Sequence, residues 1–77
     1  MIAAYILIQA KVGQAAIVAT ALRDVLGVVE TASVAGPYDV IARAQAQDID
    51  ELGRLVVSRV QALDGVLRTI SCPVVHL

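Results

Sequence analysis

The sequence predicts an α+β sandwich: a four-stranded antiparallel sheet with two helices on one face, in the chain order β-α-β-β-α-β. Three observations carry this. Two apolar runs meet at Gly36-Pro37, where Pro fixes φ and removes a ladder donor while Gly permits positive φ, so the middle of the chain reads as a β-hairpin. On each side of that hairpin, a segment with apolar residues at helical spacing follows a strand-like run. The two halves also share a junction, Leu26-Gly27-Val28 and Asp64-Gly65-Val66, each marking a helix end followed by a strand.

Taken in order, residues 2–10 form a first strand, apolar on both faces, and Lys11-Val12-Gly13 turns the chain. Residues 14–26 are Ala-rich with Val18, Ala21, Leu22 and Val25 at helical spacing, and Gly27 ends this helix. Strands follow over 28–35 and 38–47. Asp48 is a helix N-cap with a reciprocal Glu51 three residues later. The helix it opens runs to about residue 62, with Ile49, Leu52, Val56, Val60 and Leu63 facing inward and Asp50, Arg54 and Gln61 facing water. Gly65 closes it, and 66–75 is the last strand. Each half is then a βαβ unit with a right-handed crossover. Two such units interleave into a ferredoxin-like sheet of order 4-1-3-2. The fourth strand lies at an edge, where Pro73 is tolerated.

Composition sets a further demand. The chain is 58% hydrophobic and 17% charged, against roughly 45–50% and 25% in ordinary globular chains. One domain spanning residues 1–77 has too little interior to hide that surplus. The first and third strands are apolar on both faces, with Tyr5 and Leu7 opposing Ile6 and Ile8, and Val40 opposing Ile41. The sheet face without helices therefore needs a cover, and a second copy stacked sheet to sheet provides it as a dimeric α/β sandwich. A membrane is the poorer cover. The apolar run at 2–10 falls well short of the ~20 residues of a spanning helix, and both helices carry charges. The start lacks the basic segment of a signal peptide, so a cytoplasmic protein is expected.

Net charge is −1 with no basic cluster, which argues against direct nucleic-acid binding. The lone Cys72 excludes an internal disulfide and any multi-cysteine metal site, and reads as a small core or interface residue. His76 has no second ligand at metal spacing. There is no nucleophile–base pair and no glycine-rich phosphate loop, and the Asp48/Asp50 pair is explained by the helix cap. Neither an enzyme activity, a metal nor a cofactor is expected. Tyr38 and Asp39 remain, a phenol and a carboxylate side by side just after the turn. Asp39 either receives a ligand ammonium group or ties up backbone N–H groups of the turn. Thr69 and Ser71 alternate with Arg68, Ile70 and Cys72 along the last strand, and ordinary β-propensity on a solvated face explains them as well as ligand contact does. Gln9, Gln45 and Gln47 have no assigned task, and Arg43 reads as the partner of a carboxylate across the sheet.

The β-α-β-β-α-β plan carries Gly36-Pro37-Tyr38-Asp39, an Asp48-opened helix with Glu51-Leu52 near its start, and a last strand that begins Gly65-Val66 and continues with Thr69 and Ser71. In that order and spacing the whole chain resembles the RAM (regulation of amino-acid metabolism) domain of the Lrp/AsnC transcription regulators. The resemblance implies an effector-binding module that dimerises through its sheet, assembles into rings, commonly octamers, and takes a small amino acid in clefts between dimers. It implies a site of Gly36, Pro37, Tyr38 and Asp39 facing Thr69 and Ser71, with Asp39 accepting the ammonium group, and backbone N–H groups and hydroxyls donating to the carboxylate. Pro37 and Ser71 stand where a polar residue and Thr are common in the family. Met1 leads directly into the first strand without a helix-turn-helix, as in a stand-alone module or one cut from a longer regulator, and co-assembly with full-length Lrp/AsnC paralogues is a further implied partnership.

Two rivals share the strand order: a dimeric ferredoxin-like monooxygenase or isomerase, and an ACT-like amino-acid-binding domain. The enzyme would hold a wide cavity within one protomer and commonly uses His, Asn or Trp. This chain has no Trp and no Asn, and its one His is next to the last residue. The expected electrostatics are directly testable: duplex DNA retarded at low salt is released at physiological salt in a mobility-shift assay, because the scattered Lys and Arg side chains make no continuous phosphate track. Binding that persists at physiological salt contradicts this.

Overall fold

The computed structural model describes residues 1–76. Strand β1 (Ile2–Ala10) is followed by helix α1 (Ala15–Leu22), the hairpin strands β2 (Val28–Ser33) and β3 (Val40–Ala46), helix α2 (Ile49–Leu55) with a π-helical continuation over Val56–Val60, and strand β4 (Val66–Pro73). The sheet order is β2-β3-β1-β4, all neighbours antiparallel, which is the expected 4-1-3-2 read from the other edge. Pro73 ends the edge strand β4, and β2, at the other edge, is irregular between Val28 and Glu30.

Alternation along the strands sorts residues onto two faces. Ala4, Ile6, Ile8 and Ala10 of β1 and Val40, Ala42, Ala44 and Ala46 of β3 are buried beneath the helices, where they meet Val18, Ala19 and Leu22 of α1 and Leu52, Leu55, Val56 and Val60 of the second helix. The alanines of β3 allow close helix approach, while Ile6, Ile8, Val18, Leu22, Val40 and Val60 fill the space. Each such large side chain contributes about 1.5–3 kcal/mol by leaving water. Among the described residues no polar or charged side chain is buried.

Several element limits differ from the sequence reading. Helix α1 stops at Leu22, well before Gly27, because the chain tightens into i→i−3 turns: the N–H groups of Arg23, Asp24 and Val25 donate to Thr20, Ala21 and Leu22. This brings Val25 against the core and leaves Gly27 to form the following turn. Strand β2 ends at Ser33 and β3 begins only at Val40, so Tyr38 and Asp39 belong to the hairpin loop. In the second helix Ile49 is 60% exposed although its spacing placed it inside, and Leu55 is buried in the stripe. The Asp48 cap forms as expected, with Oδ1 accepting from Glu51 N–H at 2.8 Å. Glu51 reaches back to the N–H of Gln47, at 3.3 Å, not to that of Asp48. Gly65 takes φ +92°, and a Cβ there would stand 3.0 Å from Val18 Cγ2, so the turn into β4 is closed by backbone packed directly on α1.

The other sheet face carries no helix. Ala32, Ile41, Leu7 and Ile70 lie in register across all four strands, making an apolar bar. Beside it runs the row Glu30, Arg43, Tyr5 and Cys72, where Arg43 Nε approaches Glu30 Oε1 at 4.0 Å. That exposed ion pair contributes little. Tyr5 is 44% exposed and Leu7 half-buried. The two faces thus respond differently to charge. Val40→Asp places an uncompensated carboxylate in the core and is expected to cost about 3–5 kcal/mol, visible as loss of a cooperative transition in urea; a stable Val40→Asp protein contradicts the core assignment.

Candidate functional site

The hairpin loop is closed by Val34 N–H donating to the Asp39 carbonyl at 2.9 Å. Gly36 and Pro37 are exposed at its tip, Gly36 at φ +148°, while Tyr38 and Asp39 are half-buried at its base. Asp39 grips β1 at two points. Its N–H donates to the Ile8 carbonyl at 2.9 Å, and its Oδ2 accepts from Ala10 N–H at 2.8 Å. The loop diverges from β1 at this position, and the carboxylate supplies the acceptor. The bond is charge-assisted and partly shielded, which makes it stronger than an ordinary backbone pair. Of the two sequence-level roles for Asp39, the backbone one is therefore filled, by an N–H of β1 and not by one of the turn. Oδ1 has no partner among the described residues.

Thr69 and Ser71 pair with Ile8 and Ile6 and therefore lie on the helix side of the sheet, at its edge, where Thr69 is half-buried and Ser71 exposed to solvent. Gln61 Nε2 donates to Thr69 Oγ1 at 2.9 Å, so the hydroxyl has accepted one bond and retains its proton to donate. Gln61 follows the π-helical segment, its N–H reaching back to the Val56 carbonyl at 2.8 Å. Arg59 of the same segment donates from Nη1 to the Leu26 carbonyl at 3.1 Å, tying the second helix to the turn before β2. Ser71 lies in a shallow groove of 330 Å³ between the second helix and β4, lined by Leu52, Val56, Val57 and Pro73.

The candidate residues fall on either side of β1. Val40, Ile8 and Thr69 lie in one row across the sheet, so Asp39 and Thr69 are at the same end, roughly 10 Å apart by strand spacing. Ser71 lies two residues further along β4, away from the loop. The chain thus brings a carboxylate and a hydroxyl donor to one end of the sheet without direct contact between them. Sequence reasoning missed Gln61 and Ala10. A long polar side chain one turn before a helix-ending Gly was the available signal for Gln61. Ala10 acts through its N–H, which no side chain announces.

Elsewhere the structure offers less chemistry. A groove of 440 Å³ on the outer side of α1 is lined only by Ala16, Ile17, Thr20 and Ala21, and one of 160 Å³ on the open sheet face includes Tyr5, Glu30, Ile41 and Arg43. Cys72 is exposed on that face opposite Tyr5, and His76 is exposed beyond β4. Among the described residues no cluster of His, Cys, Asp or Glu is suited to a metal ion, and no helix is long and apolar enough to cross a membrane.

A family model described as the Lrp/AsnC ligand binding domain matches residues 3–76. The curated proteins contain no match. Among solved structures, a protein of Thermus thermophilus superposes with a TM-score of 0.93 at 31% identity, covering 100% of this chain and 96% of that one. Escherichia coli AsnC superposes with a TM-score of 0.91 at 19% identity, over 99% of this chain and 52% of its own. A Neisseria meningitidis transcriptional regulator solved as a complex with L-Met gives 0.87 at 19%, over 97% and 50%. At those identities the last two show a shared fold, and this chain spans about half the length of each.

Proposed function

Because this chain belongs to the Lrp/AsnC ligand-binding domain family, we propose that it is an effector-binding and assembly module that senses a small amino acid and acts on transcription indirectly. The effector lies in a cleft completed by a neighbouring dimer, against Gly36, Pro37, Tyr38 and Asp39 of the hairpin loop and Thr69 and Ser71 of β4. The observation that carries this reading is the pairing of an open carboxylate oxygen on Asp39 with a Thr69 hydroxyl already oriented by Gln61, both at one end of the sheet. A zwitterion needs an acceptor for its ammonium group and donors for its carboxylate, with the rest of the contact supplied by apolar surface. The L-Met complex of the Neisseria regulator belongs to that protein and supports the ligand class proposed here.

Calorimetry across the twenty L-amino acids tests the reading. At least one binds, and Asp39→Asn, which keeps an acceptor for Ala10 but loses the charge, weakens that binding by about 1.5–3 kcal/mol. Silence from all twenty, or unchanged affinity in the variant, contradicts it.

Assembly is the second part of the proposal. The apolar bar Ala32, Ile41, Leu7 and Ile70 is covered by the same bar of a second copy, and dimers join further into a ring at the ends that carry the site. A ligand shared between dimers favours the assembled state by its differential affinity, a coupling of roughly 1–3 kcal/mol in typical allosteric systems. Co-assembly with full-length regulators of the family is part of the same proposal: mixed rings would dilute their DNA-binding heads. Light scattering at micromolar concentration is expected to find no 8.1 kDa monomer. Leu7→Lys, on the open face, leaves the circular dichroism spectrum intact and shifts the mass toward the protomer; a monomeric parent protein refutes the stacked sheets.

A further inference from the structure

The two halves of the site are separated by β1, yet a short run of backbone bonds joins them. Ala10 N–H donates to Asp39 Oδ2 at 2.8 Å on the β3 side, and the next residue, Lys11, donates its N–H to the Gly65 carbonyl at 2.7 Å on the β4 side. Between them the β1–β4 register shifts. Gln9 pairs with Arg68, but Ala10 pairs with Val66, so Leu67 is the extra residue of a bulge and stands 58% exposed. Bulges re-aim strands locally, and this one precedes Thr69 by two residues. Gly65 itself has little room to move, being buried with its backbone packed against Val18 and Gln14.

We propose that Asp39 is a positioning residue that ties the hairpin loop to the start of β4 through Ala10, Lys11 and Gly65, fixing the bulge and with it the placement of Thr69 relative to the loop. The inference rests on the effector reading for calling these segments two halves of one site, but the tie is a property of the free protein. Asp39 then has divided duties. Oδ2 holds the fold in register and Oδ1 faces the ligand, so movement of the carboxylate toward an ammonium group is felt at Ala10 and beyond.

Amide hydrogen exchange followed by NMR on the ligand-free protein tests this. In Asp39→Ala, the Ala10 and Lys11 amides exchange roughly tenfold faster or more, as expected for loss of a charge-assisted bond that held a local opening closed. The Gln45 amide, bonded to the Gly27 carbonyl at the opposite end of the sheet, serves as control and stays unchanged. Asp39→Asn, whose side-chain carbonyl still accepts, restores most of the protection at Ala10 and Lys11. The idea is overturned if Ala10 remains protected in Asp39→Ala, if Lys11 does not follow Ala10, if Gln45 accelerates with them as in global destabilisation, or if Asn gives no rescue. Should Asp39→Ala fail to fold, scalar coupling across the Ala10 N–H to Asp39 carboxylate bond in the unmodified protein decides, and its absence refutes the tie. Titration with the twenty L-amino acids is read separately: if none binds while the exchange pattern holds, the effector reading falls and the tie stands.

Discussion

Strand β1 is hydrogen-bonded along both edges, packed under both helices on one face and apolar on the other, and the remaining elements take their places from these four demands. Its edges accept β3 and β4, which come from different halves of the chain, so the halves must interleave. Its alternate residues Ala4, Ile6, Ile8 and Ala10 require a cover of helices, which fixes the side on which both crossovers pass. Its last residues outrun β3, and that overhang leaves an N–H that Asp39 captures. A strand of this kind in a short chain leaves little freedom for alternative topologies.

The same demands account for the open face. Tyr5 and Leu7 alternate with the core residues of β1, so they emerge on the side without helices, in register with Ile41 and Ile70. The open face therefore carries an apolar bar flanked by the Glu30–Arg43 pair, a combination set by the alternation of β1 and β3.

What the sequence disclosed depended on the distance between interacting residues. The Asp48 cap was legible because its partner Glu51 is three residues away and the geometry is local. The strand order was legible because each segment shows its own period and the two halves repeat a junction. The end of α1 was not, since the tightening after Leu22 answers to how Val25 packs, while Gly27 offered a more familiar stop signal. The inner stripe of the second helix was misread only at its start: Ile49, the first residue of α2, stands exposed beside the Asp48 cap, while Leu52, Val56 and Val60 lie inward as their spacing indicates. In the candidate site, residue types pointed to Asp39 and Thr69, but their bonds to Ala10 and Gln61 cross between elements. The local rule that Asp in a turn satisfies nearby N–H groups named the right chemistry and the wrong donor.

The rims of the sheet bear on aggregation, a hazard for any chain so rich in aliphatic residues. Strand β2 begins with an irregularity at Val28–Glu30, and β4 carries Arg68, a bulge at its start and Pro73 at its end. These are devices that discourage strand-by-strand accretion, because kinked or proline-ended rims make poor templates for another backbone. Growth by strand addition has no natural stopping point, and the kinks and the proline at the two rims act against it.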